Sequence, residues 1–204
     1  MIQRLTQKPQ LGPGDRGRRM TYDEFMAGDY QEGYRYELID GELTVSPAPN
    51  MPHAMVVKWL TKALDRYGET HPRVITLVCG PARTFVPGKE IRTVPEPDVA
   101  VFHDVPTDVS EEDLDWRNFS PFLVAEVISP NNADKDEDRN VKLYLQIPSI
   151  KEYWLFDPRE SSRHPSLRVH RRHGKQWRII DIAPGGTYTT KLLPGFELVV
   201  DQTW

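Results

Sequence analysis

A near-continuous apolar segment, residues 122–130 (FLVAEVISP), constrains the fold of this chain most strongly. Such a segment is typical of a central strand that is covered on both faces of a sheet. Residues 133–147 then follow a helical pattern with acidic residues in the first turns, and residues 151–158 (KEYWLFDP) predict another strand. Strand, helix and strand within about 35 residues form a βαβ unit, so the two strands should be parallel with a right-handed crossover.

The rest of the chain predicts short helices and strands around this unit, which makes the fold class α/β with an antiparallel flank. Thr21 and Glu24 have the spacing of a capping box at the start of a short helix. The other predicted elements are a hairpin around Asp40-Gly41, an amphipathic helix over 52–69, strands over 74–80, 82–88 and 99–102, a hairpin over 167–182 and a closing strand over 191–200.

Composition limits the class of protein to which the chain can belong. Its 204 residues fit one domain, which we expect over 21–204, after a basic and flexible tail over 1–20. No apolar run has the roughly 18 residues that span a bilayer, and the N-terminus lacks the apolar segment of a secretory signal. The lone Cys79 excludes an internal disulfide, so we expect a cytoplasmic protein. The net charge of −4 does not by itself favour nucleic acid.

Glu126 is the most informative polar residue because it interrupts the apolar segment. A carboxylate buried in a central strand costs several kcal/mol unless it is paired. Pairing with an arginine would make it structural, whereas a metal ion or a functional cleft would make it part of a site. The residue alone leaves both interpretations open.

Asp98 and Lys142 are the other candidates that the residues themselves suggest. Asp98 directly precedes the strand over 99–102, so its carboxylate and that of Glu126 could bind Mg²⁺ together with water. A capping aspartate is the plainer interpretation. Asp134, Asp138 and Lys142 have i, i+4, i+8 spacing and form one polar helix face, which by itself predicts a salt-bridged surface.

Several motifs follow one another along the chain: YELIDGEL, a helix that opens with His53, PDVAVF, LVAEVISP, a helix with KLYLQ, and KEYWLFDP. This ordered set resembles the Uma2 family of restriction-endonuclease-like proteins over most of the chain. The resemblance implies the PD-(D/E)xK nuclease fold, which is an αβββαβ core with a mixed central sheet. An N-terminal hairpin and a C-terminal β-hairpin would be additions to that core.

The resemblance also implies roles for individual residues. Asp98 matches the first aspartate of the PD-(D/E)xK motif and Glu126 its second acid, and both would bind metal. The usual lysine would stand at position 128, which is Ile128 here, so the resemblance offers Lys142 as a migrated lysine. Glu37 and Glu42 resemble additional acids of the family, and either could complete the metal site. His53 belongs to the pattern, although capping or packing explains it equally well.

These observations lead to a functional hypothesis with two rivals. The chain should be a Mg²⁺- or Mn²⁺-dependent endonuclease that hydrolyses phosphodiester bonds in DNA. Duplex cleavage would favour a homodimer, and the C-terminal hairpin would contact phosphates through Arg168, Arg171, Arg172 and Lys175. The alternative that Ile128 favours is an inactive nuclease-fold module that binds nucleic acid or a protein. A Mg²⁺-dependent phosphohydrolase for a small substrate is the third hypothesis.

Overall fold

The computed structural model of the protein describes residues 10–89, 92–106, 108, 110–129 and 135–202. Its strands are β1 (Gln10–Leu11), β2 (Asp29–Tyr30), β3 (Tyr34–Ile39), β4 (Glu42–Pro47), β5 (Leu77–Cys79), β6 (Val99–Phe102), β7 (Leu123–Val127), β8 (Glu152–Asp157), β9 (Ser166–His173), β10 (Gln176–Ile182), β11 (Thr187–Thr189) and β12 (Glu197–Val199). Its helices are α1 (Tyr22–Ala27), α2 (Met51–Thr70) and α3 (Asn140–Leu145), and a π-helical turn over Lys135–Arg139 leads directly into α3.

A six-stranded mixed sheet with the order β10-β9-β8-β7-β6-β5 forms the centre of the protein. Strands β7 and β8 are parallel and are joined through α3, whereas the other neighbouring pairs are antiparallel. The predicted βαβ unit and the α/β fold class are therefore confirmed. The two-stranded sheets β1–β2, β3–β4 and β11–β12 lie outside the central sheet. The predicted N-terminal hairpin is the separate β3–β4 sheet, whereas the predicted C-terminal hairpin is β9–β10 and extends the central sheet.

Strand β7 is apolar except at Glu126, because each of its faces is covered by a different core. Leu123 and Val127 pack on the α2 side, with Leu60 of that helix. Val124 packs on the other side, with Tyr144 of α3. Alternate residues of a strand point to opposite faces, so a strand between two cores needs apolar residues at nearly every position.

Residues 10–20 pack on the β3–β4 hairpin and are not a flexible tail, which corrects the expectation for this part of the chain. The side chain of Leu11 is fully buried with Phe25 and Leu43. The backbone of this segment exchanges hydrogen bonds with β4: Gly17 N donates to Leu43 O and Leu43 N donates to Arg18 O, both at 2.8 Å. The segment thus satisfies the open edge of β4. Residues 1–9 lie outside the described residues.

The prediction of a strand over residues 82–88 is wrong, although buried and less buried residues do alternate over 82–86. Thr84 N donates to Pro95 O at 3.0 Å, and Val86 N donates to Thr93 O at 3.4 Å. The segment therefore folds back on the residues before β6 instead of joining the central sheet. Among the described residues, no helix has both the length and the apolar character needed to cross a membrane.

His170 of β9 should make the stability of the protein depend on acid pH. Its ring is buried against Tyr153, and neither of its nitrogens has a hydrogen-bond partner among the described residues. Burial, with a smaller contribution from Arg168, lowers the pKa of His170 from 6.5 to about 4. As the pH falls below 6.5, His170 binds a proton in the unfolded chain but not yet in the folded protein. The free energy of unfolding therefore decreases between pH 6.5 and about pH 4.

The expected slope is about 1.4 kcal/mol per pH unit in that window. Urea unfolding of the wild type and of His170→Phe at several pH values measures this slope, since phenylalanine keeps the ring stacking and cannot bind a proton. Equal slopes for the two proteins would contradict the assignment.

Candidate active site

The register of β6 and β7 places Asp98 directly opposite Glu126. Val99 pairs with Ala125, so the next residue outward on each strand is the predicted acid. Each carboxylate also accepts a backbone hydrogen bond from the neighbouring strand: Asp98 N donates to Glu126 Oε2 at 3.3 Å, and Val127 N donates to Asp98 Oδ2 at 2.9 Å. Both side chains are buried. Opposite residues of an antiparallel pair share a face, so the two carboxylates reach the same cleft.

The cleft is small and strongly polar. It holds about 30 Å³ of free volume, which is room for roughly one water molecule. Its lining comes from the β3–β4 hairpin, the start of α2, the ends of β6 and β7 and the π-helical turn. The lining residues are Arg35, Ser46, Pro47, Pro49, His53, Asp98, Glu126, Val127, Ser129, Lys135 and Asp136.

Asp98 is held as an anion by two basic side chains. Arg35 Nη1 donates to its Oδ1, and His53 Nε2 lies 2.9 Å from its Oδ2. Burial acts to raise the pKa of Asp98, but the hydrogen bond and charge of His53, together with Arg35, hold this pKa well below its usual range. Asp98 therefore keeps a full negative charge inside the protein.

The N-terminus of α2 explains the position of His53. Asn50 caps the helix by accepting a hydrogen bond from His53 N at 3.0 Å, and Pro52 occupies the first turn. The capped first turn directs the imidazole at Asp98. The ring is buried, and its Nδ1 has no hydrogen-bond partner in the part of the chain that the structure describes.

Glu126 is held by one face of the helix that follows β7. Asn140 Nδ2 and Tyr144 OH donate to its Oε1 at 2.8 and 2.7 Å. Asn140 Nδ2 also lies 3.2 Å from Asp136 Oδ1. Asp136, Asn140 and Tyr144 have i, i+4, i+8 spacing, which places them on one side of the helix. No ion pair to Glu126 is found in the described part of the chain, so its structural pairing with an arginine is not supported there.

Glu126 and Asp136 form no ion pair like those of Asp98 with any of the described residues. Burial is the main reason that the pKa of Glu126 lies well above its usual value, and repulsion from Asp136 and Asp98 adds to it against the attraction of Lys135. Burial likewise raises the pKa of Asp136 to about 7. Two buried acids with raised pKa values are an arrangement that an added cation would stabilise.

Glu37 binds the two cations of the π-helical turn. Its Oε2 lies 3.3 Å from Lys135 Nζ and 2.8 Å from Arg139 Nη2, and its Oε1 accepts a hydrogen bond from Glu96 N at 3.1 Å. Burial would raise the pKa of Glu37, but the charges of Lys135 and Arg139 outweigh it and lower the pKa to about 2. Glu37 does not line the cleft itself; it holds the ammonium of Lys135 beside it.

Lys142 does not reach the cleft, contrary to the expectation, and the lysine that lines it among the described residues is Lys135. The side chain of Lys142 is exposed and is not part of the cleft lining. The reason is helical geometry: residues two apart lie about 200° apart around the axis, and both Asn140 and Tyr144 point at Glu126. Asp138 is exposed on the same outer face, and Asp134 lies outside the described residues.

Glu42 lies away from the cleft, so its place in the predicted metal site is corrected as well. Glu37 pairs with Thr44 and Ile39 pairs with Glu42, which puts both acids on one face of the hairpin, as the turn allowed. Ile39 is four residues from Arg35, however, which is about 13 Å along the strand. The carboxylate of Glu42 is near the turn, half-exposed, 3.4 Å from Arg19 Nη2.

The basic C-terminal hairpin contains two arginines that are bound within the protein. Arg171 donates to buried Glu152 at 2.8 Å. Arg172 donates to carbonyl oxygens at the end of α3, among them Tyr144 O and Ile147 O, at 3.0 and 2.8 Å. Their predicted phosphate contacts conflict with these structural roles. Arg168 forms an exposed ion pair with Asp181, and Lys175 lies at the exposed turn of the hairpin. The phosphate contacts of these two residues stay predictions.

The donor set of the cleft fits a hard cation that keeps water ligands. No group of three or more His, Cys, Asp or Glu side chains arranged for a metal is found among the described residues. Mg²⁺, however, is commonly bound by one or two carboxylates with water in the remaining positions. Asp98 and Glu126 supply two such carboxylates, and the raised pKa of Glu126 shows that a positive charge would be favourable there.

Comparison with known proteins gives the family and the fold of the chain. Residues 22–201 match the Uma2 family, described as "Putative restriction endonuclease". The chain belongs to the Uma2 family. No curated protein matches it. A crystal structure of "a putative nuclease belonging to DUF820 from Anabaena variabilis ATCC 29413" is similar to it with a TM-score of 0.66 at 18% identity, covering 89% of this chain and 95% of the other. The likeness confirms the fold.

Sequence reasoning missed several residues of this Uma2 cleft. Lys135 and Asp136 precede α3, and the spacing of Asp136 to Asn140 and Tyr144 was a usable signal that the more obvious charged face obscured. Arg35 lies two residues before Glu37 on β3, so strand geometry predicts that the two side chains share a face. It does not predict which part of the protein that face contacts.

Gly80 leaves space for the backbone of Asp98, and its replacement should disturb the cleft. A Cβ atom at Gly80 would lie 1.8 Å from Asp98 O. We expect Gly80→Ala to shift Asp98, to destabilise the protein by about 2 kcal/mol and to weaken any effect of Mn²⁺ on the melting temperature. Gly14→Ala is the control, because nothing lies within 4 Å of a Cβ atom there. Equal melting curves for the two variants would refute the steric argument.

Proposed function

We propose that this Uma2 protein is a divalent-metal-dependent endonuclease that hydrolyses phosphodiester bonds in DNA. The observation that supports it best is the meeting of Asp98, Glu126 and Lys135 in one buried cleft. Two acids on adjacent strands and a lysine on the helical turn that follows them match the chemistry of phosphodiester hydrolysis, and the family description points to the same reaction.

Asp98 and Glu126 would hold Mg²⁺ or Mn²⁺ in this proposal. When bound, such a cation lowers the pKa of a water molecule and stabilises negative charge on the phosphate. Lys135 places its ammonium beside the two acids, where it would stabilise the charge that develops on the phosphate oxygens. Burial would lower the pKa of Lys135, but Glu37 and Glu126 raise it above its usual value, so the side chain stays protonated. Glu37 is the positioning residue for this lysine.

DNA as the substrate and a homodimer as the active form belong to the same proposal. Arg168 and Lys175 would supply phosphate contacts that carry no sequence information. A second active site would cut the second strand of a duplex, which a two-fold symmetric dimer provides.

A pair of lysine variants tests the site together with the function. Wild-type protein should nick plasmid DNA with Mg²⁺ or Mn²⁺ and not with EDTA. Lys135→Ala should lose about two orders of magnitude in rate, as when one charge-stabilising donor is removed, whereas Lys142→Ala should cleave like wild type. The reverse order would return the catalytic role to Lys142.

An inactive binding module is the second candidate, because Ile128 stands in the core at the position of the usual lysine and Asp98 already has two basic partners. The melting temperature distinguishes the two. A protein that binds metal only when folded should melt at higher temperature as Mn²⁺ increases. An unchanged melting temperature, together with no cleavage, would favour the binding module.

A further inference from the structure

We propose that Arg35 is a phosphate-contacting residue that exchanges partners: it pairs with Asp98 when the cleft holds no metal, and it moves to the phosphodiester once a divalent cation binds. This inference rests on the proposed function. It assigns Arg35 to recognition of the substrate in addition to its ion pair with Asp98.

Arg35 differs from the other cations of the region in what holds it. Lys135 and Arg139 are both bound to Glu37. Arg35 has one hydrogen-bonding partner in the described structure, Asp98, through Nη1 alone. A guanidinium group carries five N–H donors, so most of its donors remain for another ligand. Its side chain is about one quarter exposed (26%), which places part of it toward solvent.

The hairpin gives Arg35 a position at the mouth of the cleft. Arg35 lies opposite Ser46 on the face of β3–β4 that closes the cleft, and both side chains line it. The free volume of about 30 Å³ admits a water molecule or a cation but not a phosphate group. A phosphodiester must therefore lie at the mouth, within reach of the exposed side of Arg35.

The charge balance of the cleft favours the exchange. Of the charged residues that line it in the described part of the chain, three are carboxylates (Asp98, Glu126 and Asp136) and two are permanent cations (Arg35 and Lys135). A divalent cation bound to Asp98 competes with Arg35 for the same carboxylate. It also changes the formal charge from −1 to +1, which suits one phosphodiester anion. The planar guanidinium binds phosphate oxygens in pairs, so the displaced Arg35 has a matching acceptor.

Arg35→Gln tests the proposal, with Arg83→Gln as the control. Arg83 makes one ion pair with Glu96 at 3.2 Å, is exposed to a similar degree (31%) and does not line the cleft. Metal affinity is measured by calorimetry with Mn²⁺ and with Ca²⁺, and affinity for a fluorescein-labelled DNA duplex by anisotropy, with Ca²⁺ or with EDTA.

Arg35→Gln should bind both metals with a lower Kd than wild type, because the competitor for Asp98 is gone. With Ca²⁺ its affinity for DNA should fall about tenfold, the equivalent of one charged hydrogen bond. In EDTA its affinity for DNA should equal that of wild type, because Arg35 is then engaged by Asp98. Arg83→Gln should match wild type in all three measurements. Arg35→Lys, which keeps the charge without the paired donors, should lie between the two and serves if the glutamine variant unfolds.

Several outcomes would overturn the proposal. An unchanged affinity for DNA with Ca²⁺, or an equal loss with Ca²⁺ and with EDTA, would mean that Arg35 does not exchange partners. Unchanged or weaker metal binding would assign it to support of Asp98 alone. These results leave the proposed function standing when wild type binds Mn²⁺ and cleaves DNA. A wild type that binds no metal would overturn both.

Discussion

Replacement of Glu126 by glutamine should abolish metal-dependent cleavage of DNA and leave the protein folded. The amide can still accept hydrogen bonds from Asn140 and Tyr144, but it has lost the charge that would bind the cation. A metal contributes several kcal/mol of transition-state stabilisation, so the cleavage rate should fall by about a thousandfold or more. Plasmid nicking with Mn²⁺ measures this change.

The stability of the metal-free variant provides the control for Glu126→Gln. Because burial raises the pKa of Glu126 above its unfolded value of 4.5, wild type loses stability as the pH rises above that value and the unfolded chain releases its proton. Glutamine has no proton to release, so at pH 8 the metal-free variant should be at least as stable as wild type. It should also have lost the increase in melting temperature with Mn²⁺. Wild-type cleavage by the variant, or a large loss of its stability, would make Glu126 a structural residue.

Replacement of Glu152 by alanine should cause a large loss of stability. This buried carboxylate accepts four hydrogen bonds at 2.8 Å, from Arg171 Nε, Thr190 Oγ1, Trp154 Nε1 and Tyr188 OH, and so joins the central sheet to the C-terminal strands. Its removal leaves buried donors without an acceptor and a partly buried arginine without a partner. We expect a loss of about 3–5 kcal/mol, which lowers the melting temperature by about 10 °C in a protein of this size.

Asp181→Asn is the matched control for Glu152→Ala, since it breaks the ion pair of Asp181 with Arg168 in the same sheet. Both side chains of that pair are about half-exposed, so the loss should be below about 1 kcal/mol. Calorimetric melts compare the two variants with wild type. A similar small loss for both would show that the Glu152 network adds little to stability.

The two acids of the candidate site were predictable because each has a local signature. Glu126 interrupts an apolar strand, and Asp98 stands at the entrance of another, so their unusual positions are visible without any knowledge of tertiary contacts. Their meeting follows from the antiparallel register of β6 and β7, which the chain only implies. The roles of both residues in metal binding stay predictions.

Lys135, the lysine that lines the cleft, could not be predicted from a local signature of this kind. Helical periodicity shows which residues share a face, but it does not show which face meets the sheet. Two polar faces were available: Asp138 and Lys142, and Asp136 and Asn140. The second is buried because Asn140 and Tyr144 have hydrogen-bonding groups that satisfy Glu126. Charged residues such as Asp138 and Lys142 are hydrated at an exposed face and need no partner, so their spacing does not indicate that this face meets the sheet.

By itself the sequence determined the longer strands and helices, the βαβ unit and the positions of Asp98 and Glu126, because apolar periodicity and a costly buried acid act within a few residues. Tertiary structure alone decided that Arg35 meets Asp98 and that Glu37 meets Lys135. The β3–β4 hairpin belongs to a separate two-stranded sheet and reaches the cleft only by packing. Contacts of this kind join residues that are 63 and 98 positions apart (Arg35–Asp98 and Glu37–Lys135), and no local pattern encodes them.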